Sequence, residues 1–401
     1  MEILIYLIPF VAAVLLLIAF NKKMVWWEYL ILIVPTIGIT IGIRAIMVES
    51  NASDTEYLGT YITKITHYED WDEMVTVHHT RQVPCGKDAN GNTRYRTEHY
   101  TTRERRYHPD KYRYILAGEN DNSWNEHWIT KEEYEIIHKR LGSKDVFRDM
   151  HRDYHRIDGD AYDTYYDNTI EHMYDVTTTH SYRNKIKADQ SHTIFKHVDY
   201  TPEEAKELGL YEYPTIKNWD QNPIIGRTVP VAAQRQIKYL NAKLGKQYQF
   251  RTYILFFEGK DLEISELQKA YWQNGNKNEF VVCIGTQKDS VVWCNPFSWS
   301  DEPKLELLTR QYFIDNPKVD IEAYGKWLYN MVPGNWVRKE FSDFNYITIG
   351  LHNWQYIVLT IVMLLITVGL SIFLVENPFT YEDRLVSTGN GSYEYFKKRT
   401  F

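Results

Sequence analysis

Two histidines four residues apart, His151 and His155, carry the clearest chemical signal in the chain. On a helix this spacing puts both imidazoles on one face, where zinc could take them with His172 or Asp158 as a third ligand. Zinc peptidases place a glutamate directly after the first histidine. Arg152 stands there instead, and a polar, solvated stretch fits the same residues. Asp158-Gly159-Asp160 with Asp163 and Asp167 offers the oxygen ligands of a calcium loop. It lacks the glycine and final carboxylate of an EF-hand, so an acidic turn also fits. Cys283 and Cys294 face each other if Lys288-Asp289 is a two-residue hairpin turn, at about 5 Å, a separation that permits a disulfide. Two small apolar residues buried in a sheet is the other reading. Cys85, between Pro84 and Gly86, is left single and reads as structural. Phosphate loops, nucleophile elbows and dinucleotide fingerprints are absent from the sequence.

Histidine is concentrated: thirteen of the 14 lie between His67 and His197. Residues 49–355 hold 47 acidic and 39 basic side chains, a net of about −8 that becomes about +5 if those histidines are protonated. The expectation is a region that rearranges or changes partners on acidification; histidines that merely titrate are the alternative. The whole chain is acidic at −7, which excludes a nucleic-acid binder. At 44% hydrophobic and 15% aromatic it is too apolar for a disordered chain. Three cysteines cannot staple a disulfide scaffold.

The elements that must position these residues begin with apolar runs. Residues 3–20 carry no charge and nearly span a hydrocarbon core of about 30 Å. No basic residue precedes them and no small-residue cleavage site follows, unlike a signal peptide. Trp26 and Trp27 suit a membrane interface. Residues 30–47 form a second run, with Arg44 placed to snorkel. Gly38 and Gly42 make a small-xxx-small pair expected to pack against the first or third segment, or against another copy. Residues 356–375 form the third run. Lys22 and Lys23 share a side with Lys397, Lys398 and Arg399 only if all three runs cross, and that side is cytoplasmic by the positive-inside rule. Residues 49–355 are then extracytoplasmic, periplasmic or extracellular, and the C-terminus is cytoplasmic.

The pattern predicts an α+β protein: three transmembrane helices, an outward-facing β-rich region, then an α/β sandwich with a single sheet. Its divisions are a helical hairpin (1–48), an antiparallel β-rich part (49–120) and a segment rich in His, Tyr and Asp without clear periodicity (121–228). An α/β domain (229–335), a third membrane segment with its approach (336–375) and a tail (376–401) follow. Thr130-Lys131-Glu132-Glu133 and Thr201-Pro202-Glu203-Glu204 are capping boxes, with Gly142 and Gly209 as stops. From residue 229 the order is helix, strand, helix, two strands, helix, the first helix (231–244) ending at Gly245.

This last stretch, about 229–315, resembles the TPM domain. The likeness lies in element order and in Ala270-Tyr271-Trp272-Gln273-Asn274-Gly275-Asn276-Lys277-Asn278-Glu279, a helix end and Gly/Asn-rich turn before a hairpin. The resemblance implies a domain tethered by a terminal membrane helix and facing away from the cytoplasm. Phosphatase activity, proposed for some relatives, rests on acidic residues near the sheet edge that have no residue-by-residue counterpart here. The layout also resembles uncharacterised membrane proteins of bacteriophages and bacteria. The function expected is a membrane-anchored extracytoplasmic binding or structural module of an envelope assembly. It would be embedded in a lipid bilayer and would meet a protein partner or further copies of itself. The alternative is a metal-dependent, phosphatase-like hydrolase holding zinc or calcium in the His/Asp cluster.

Overall fold

An almost uncharged run of 19 residues makes the first helix, α1 (Glu2–Phe20), and a 27-residue helix, α2 (Trp26–Ala52), follows. The computed structural model describes residues 2–20, 26–87, 90–121, 127–141, 145–149, 159–188, 200–219, 221–376, 385–387 and 393–395. After α2 come β1 (Ser53–Tyr68), β2 (Trp71–Lys87), β3 (Thr93–His108), β4 (Lys111–Leu116) and β5 (His127–Ile129). Helix α3 (Lys131–Leu141) leads to β6 (Asp145–Arg148), β7 (Ala161–Tyr165), β8 (Asp175–Arg183) and a short α4 (Lys185–Ala188). Next stand α5 (Pro202–Leu208), β9 (Ile224–Ile225), α6 (Val231–Tyr248), β10 (Arg251–Glu258) and α7 (Glu263–Tyr271). A hairpin of β11 (Glu279–Gln287) and β12 (Ser290–Ser298) precedes α8 (Lys304–Asp315), α9 (Ile321–Asn335) and α10 (Asn353–Glu376). The architecture is mixed α+β.

The chain forms two compact units, one from Met1–Thr55, Ser181–Lys196 and Glu340–Phe401, the other from Glu56–His180 and His197–Lys339. This differs from the linear division expected. Residues 181–196 leave the region of their sequence neighbours and join the helical unit.

In the helical unit α1, α2 and α10 pack on one another through Ile5, Ala13, Leu32, Leu359, Met363 and Leu374. Thr36 and Thr40 share the buried stripe of α2, and the Thr40 hydroxyl lies 2.7 Å from Met363 Sδ. Asn51 and Gln355 exchange side-chain amide hydrogen bonds, each 2.8 Å long. Two described helices, α2 and α10, are long and apolar enough to cross a membrane; the apolar part of α1, Leu4–Ala19, is shorter. Three such helices were expected. At about 1.5 Å per residue the α1 stretch reaches about 24 Å, short of a full hydrocarbon core. Within the chain, Gly38 and Gly42 do not serve as packing points against the first or third segment: a Cβ at either would meet nothing within 4 Å. The inward face is set by Leu32, Thr36 and Thr40, one turn apart, and the glycines lie off it. Trp26 is 71% exposed at the start of α2, and Trp27 is half-buried. Beyond α2, Asp54 accepts hydrogen bonds from Tyr182 (3.0 Å) and Asn184 (2.8 Å) and pairs with Lys187 at 3.0 Å. Burial alone would raise its carboxyl; Lys187 and Asn184 outweigh that and hold it below the usual range.

The second unit holds two main sheets. In the first, antiparallel strands run β5-β4-β1-β7-β6, and β8 also pairs with β1. One face is apolar: Ile62, Ile65, Tyr112, Tyr114 and Leu116 pack against Tyr134 and Ile137 of α3. That helix opens with the expected capping box, Glu133 N–H donating to Thr130 Oγ1 (3.3 Å) and Thr130 N–H to the Glu133 carboxylate (2.9 Å). The strands β6, β7 and β8 escaped sequence analysis because Asp163 and Thr164, buried within β7, spoil any apolar alternation.

The second sheet runs β12-β11-β10-β9, with β9, β10 and β11 parallel and β12 antiparallel. Strand β10 is buried along its length except Glu258, as a strand covered on both faces should be. Helices α6, α8 and α9 cover one face through Ile237, Leu240, Leu305, Phe313, Tyr324 and Leu328. On the other face, α5 and α7 contribute Ala205 and Ile264 to a core with Tyr253, Leu255 and Val281. Helices therefore cover both faces of this sheet. Helix α5 has its full capping box and ends at Gly209, φ +81°. Helix α6, however, runs through Gly245 to Tyr248. That glycine marks a close approach: a Cβ on it would lie 2.1 Å from the Gly59 carbonyl oxygen.

Candidate interaction surface

Strands β2 and β3 form a ribbon that pairs with no other strand among the described residues. Their register runs from Trp71↔His108 to Lys87↔Thr93, with one bulge between Pro84 and Gly86. At about 3.3 Å per residue, 16 residues of β3 extend about 50 Å. A lone two-stranded ribbon is marginal in water. Side-chain ladders on its faces support this one. On the first face the Trp71 and His108 rings stack at 4.9 Å, and His108 Nε2 lies 3.0 Å from Glu73. Further along, His79 stacks on Tyr100 at 5.1 Å, and Arg81 pairs with Glu98 at 2.8 Å while covering the same tyrosine. On the second face Arg105 donates to Asp72 and so holds that carboxyl below its usual range. Tyr107 donates to Asp70 at 3.1 Å, which raises its phenol. At the root Trp128 lies beneath the Lys111 ammonium, 5.4 Å away, in a groove shared with Tyr107, Tyr112 and Thr130.

Two charge clusters with buried members sit in the same unit. Lys64, Arg113 and Arg148 surround Asp121 and Asp163 on the polar face of the first sheet: Arg113–Asp121 is 2.6 Å and Arg148–Asp163 is 3.0 Å. Lys64 reaches both carboxylates, and Thr66 donates to Asp163 at 2.6 Å. Burial of Asp121 is outweighed by Lys64 and Arg113, which hold it below the usual range. Elsewhere Glu56, fully buried, lies 3.1 Å from Arg338 and 2.7 Å from His180. These carboxylates are occupied by cations of the chain itself.

Of the proposed metal ligands, His151, His155 and Asp158 lie outside the described residues. His172 is described, and its Nδ1 lies 3.0 Å from Asp167. Of the residues of the expected calcium loop, Asp163 is engaged by Arg148, Lys64 and Thr66 and Asp167 by His172, while Asp158 lies outside the described residues. No group of three or more His, Cys, Asp or Glu residues that could hold a metal ion occurs among the described residues. The expected Cys283–Cys294 bridge is overturned: Cys283 opposes Asn295, Cys294 opposes Ile284, and both thiols are free. The turn is as expected, with Gln287 opposite Ser290, but a bulge at Val292 advances β12 by one residue. A one-residue slip sends the two side chains to opposite faces. Trp293 fills the space above Gly285, where a Cβ would lie 2.1 Å from the indole.

Seven described histidines each lie 2.7–3.8 Å from a carboxylate: His67, His79, His108, His127, His138, His172 and His180. Sequence analysis expected an antiparallel β-rich part over 49–120 but not the isolation of β2 and β3 within it. The available signal is that β3 has no apolar face: charged, Thr and Tyr residues occupy both parities.

Compared with known proteins, the chain matches no family model, no curated protein and no solved structure.

Proposed function

We propose that this protein is a membrane-anchored binding module in which the β2–β3 ribbon engages a protein partner outside the cytoplasm. The observation that carries the reading is a 33-residue pair of strands that contains no buried side chain and pairs with no third strand among the described residues, one face of β2 being half-buried and β3 exposed on both faces. Structure of that size, kept rigid by ion pairs and stacked rings, is explained by contact with something else. Exposed tyrosine and arginine suit such contact. Anchorage is supported by the helical unit, whose outward side chains include Leu4, Leu15, Ile18, Ile46, Leu365 and Ile372. A surface of that kind is unstable in water and matched to lipid. In this reading α1 crosses with α2 and α10, tilt and a thinned bilayer absorbing its shorter length. The basic residues near positions 22 and 397 then place the second unit on the extracytoplasmic side. A TPM-like identity for residues 229–315 belongs to the same proposal, supported by the order α6-β10-α7-β11-β12-α8 and the Gly275 turn, φ +74°.

The test replaces residues 72–107 by a short glycine turn. The full and the shortened chain are then purified in mild detergent, and bound proteins are identified. A partner held by the full chain and lost from a shortened chain with an unchanged unfolding midpoint is the expected result. Identical partner sets would refute it. The second reading, metal-dependent hydrolysis, requires tightly bound zinc that is lost in His155→Ala.

A further inference from the structure

We infer that the free edge of β3 takes up an extended acidic segment of a partner protein as a third strand; this rests on the ribbon being a partner-binding arm. Strand β3 runs 16 residues with neither proline nor glycine, and among the described residues only one of its edges is used, by β2. The other edge presents backbone donors and acceptors over its whole length, as strand addition requires. The outer edge of β2 is blunted: Pro84 supplies no N–H, and the bulge beside it breaks the spacing.

Side chains decide what kind of strand fits. β3 carries five arginines against two glutamates. Arg94, Arg96 and Arg106 fall on one face and Arg103 and Arg105 on the other, by their alternate positions. Arg105 and Arg106 are engaged by Asp72 and Glu73. Arg94, Arg96 and Arg103 are exposed and have no ion-pair partner among the described residues. Neighbours at i and i+2 stand about 7 Å apart, the repeat of alternate side chains along an added strand. Carboxylates at alternate positions of a partner would therefore meet Arg94 and Arg96 together. A second copy of β3 laid parallel and in register would set arginine against arginine, which is destabilising. Exposed rings add contact area on both faces, Tyr100 on that of Arg94 and Arg96 and Tyr95 on that of Arg103.

The probe is a fluorescein-labelled octapeptide of alternating glutamate and valine, titrated into the full chain in detergent and followed by polarisation. Saturable binding is expected, weakened about tenfold or more in Arg94→Glu/Arg96→Glu, whose exposed positions leave the fold intact. A peptide of equal charge with two central valines replaced by proline should bind at least about tenfold more weakly, since it cannot complete the backbone ladder. Equal binding of the two peptides would reduce the interaction to charge alone and sink the inference. Capture of phosphatidylglycerol vesicles with no peptide binding would do the same, in favour of a lipid surface. No binding up to about 1 mM would mean that the arginines serve only to keep edges apart. Any of these results, alongside partner loss on ribbon removal, would leave the binding-arm reading standing and remove only the acidic-strand chemistry.

Discussion

Gly59 of β1 and Gly245 of α6 meet so closely that a Cβ on Gly245 would lie 2.1 Å from the Gly59 carbonyl oxygen and 2.5 Å from its nitrogen. The contact lets α6, a helix of the second sheet, lie directly on the central strand of the first. In an ordinary helix interior, glycine to alanine gains up to about 1 kcal/mol. Here the sign should reverse. Gly245→Ala is expected to cost about 1–3 kcal/mol through overpacking, read as a lower urea midpoint with unchanged slope. A rise in stability would show that strand and helix are not in contact.

Cysteine chemistry gives a second check. Unfolding the chain without reductant and alkylating it should label Cys85, Cys283 and Cys294 alike, and added reductant should leave the melting temperature unchanged. Recovery of a linked Cys283–Cys294 peptide by mass spectrometry would contradict the β12 bulge.

Arg338 faces a carboxylate with no exposed surface, on Glu56. Removing the cation alone, as in Arg338→Met, leaves that charge buried and should cost about 3–5 kcal/mol. Pairing it with Glu56→Leu should return most of the loss, since an apolar pair of similar volume is often neutral or better. A double-mutant cycle with additive losses would count against the ion pair.

Acid sensitivity should be traceable to Asp54. Lys187 and Asn184 hold its folded carboxyl below the unfolded value of about 3.9. A depressed carboxyl stabilises above the unfolded value, and the contribution drains away as pH falls through the folded one. Asp54→Asn should therefore lower stability at neutral pH and flatten its decline below about pH 4. An acid limb that keeps its slope in the variant would show that other carboxyls dominate.

Local devices were legible and long-range ones were not. The capping boxes at Thr130 and Thr201 and the Lys288-Asp289 turn are each settled within a few neighbouring residues. The Val292 bulge leaves no such mark, yet it moves two cysteines to opposite faces. Gly245 was read as a stop because a glycine that ends a helix and one that admits a neighbouring backbone look alike in sequence. The Glu56–Arg338 pair joins residues far apart along the chain, and neither has local context to announce the other. Of the ribbon, the β-rich character of residues 49–120 was readable. That β2 and β3 meet no third strand among the described residues was not, because a free edge depends on where every other strand goes.

The helical unit has one more consequence, for biosynthesis. Its interior is shared between segments near opposite ends of the polypeptide, since Leu32 of α2 and Leu374 of α10 occupy one cluster. A ribosome delivers α10 only after the entire second unit has emerged. Until then Leu32, Thr36 and Thr40 have no α10 to cover them, so that stripe stays open on every nascent chain until residues 353–376 are made, and premature termination would leave it so.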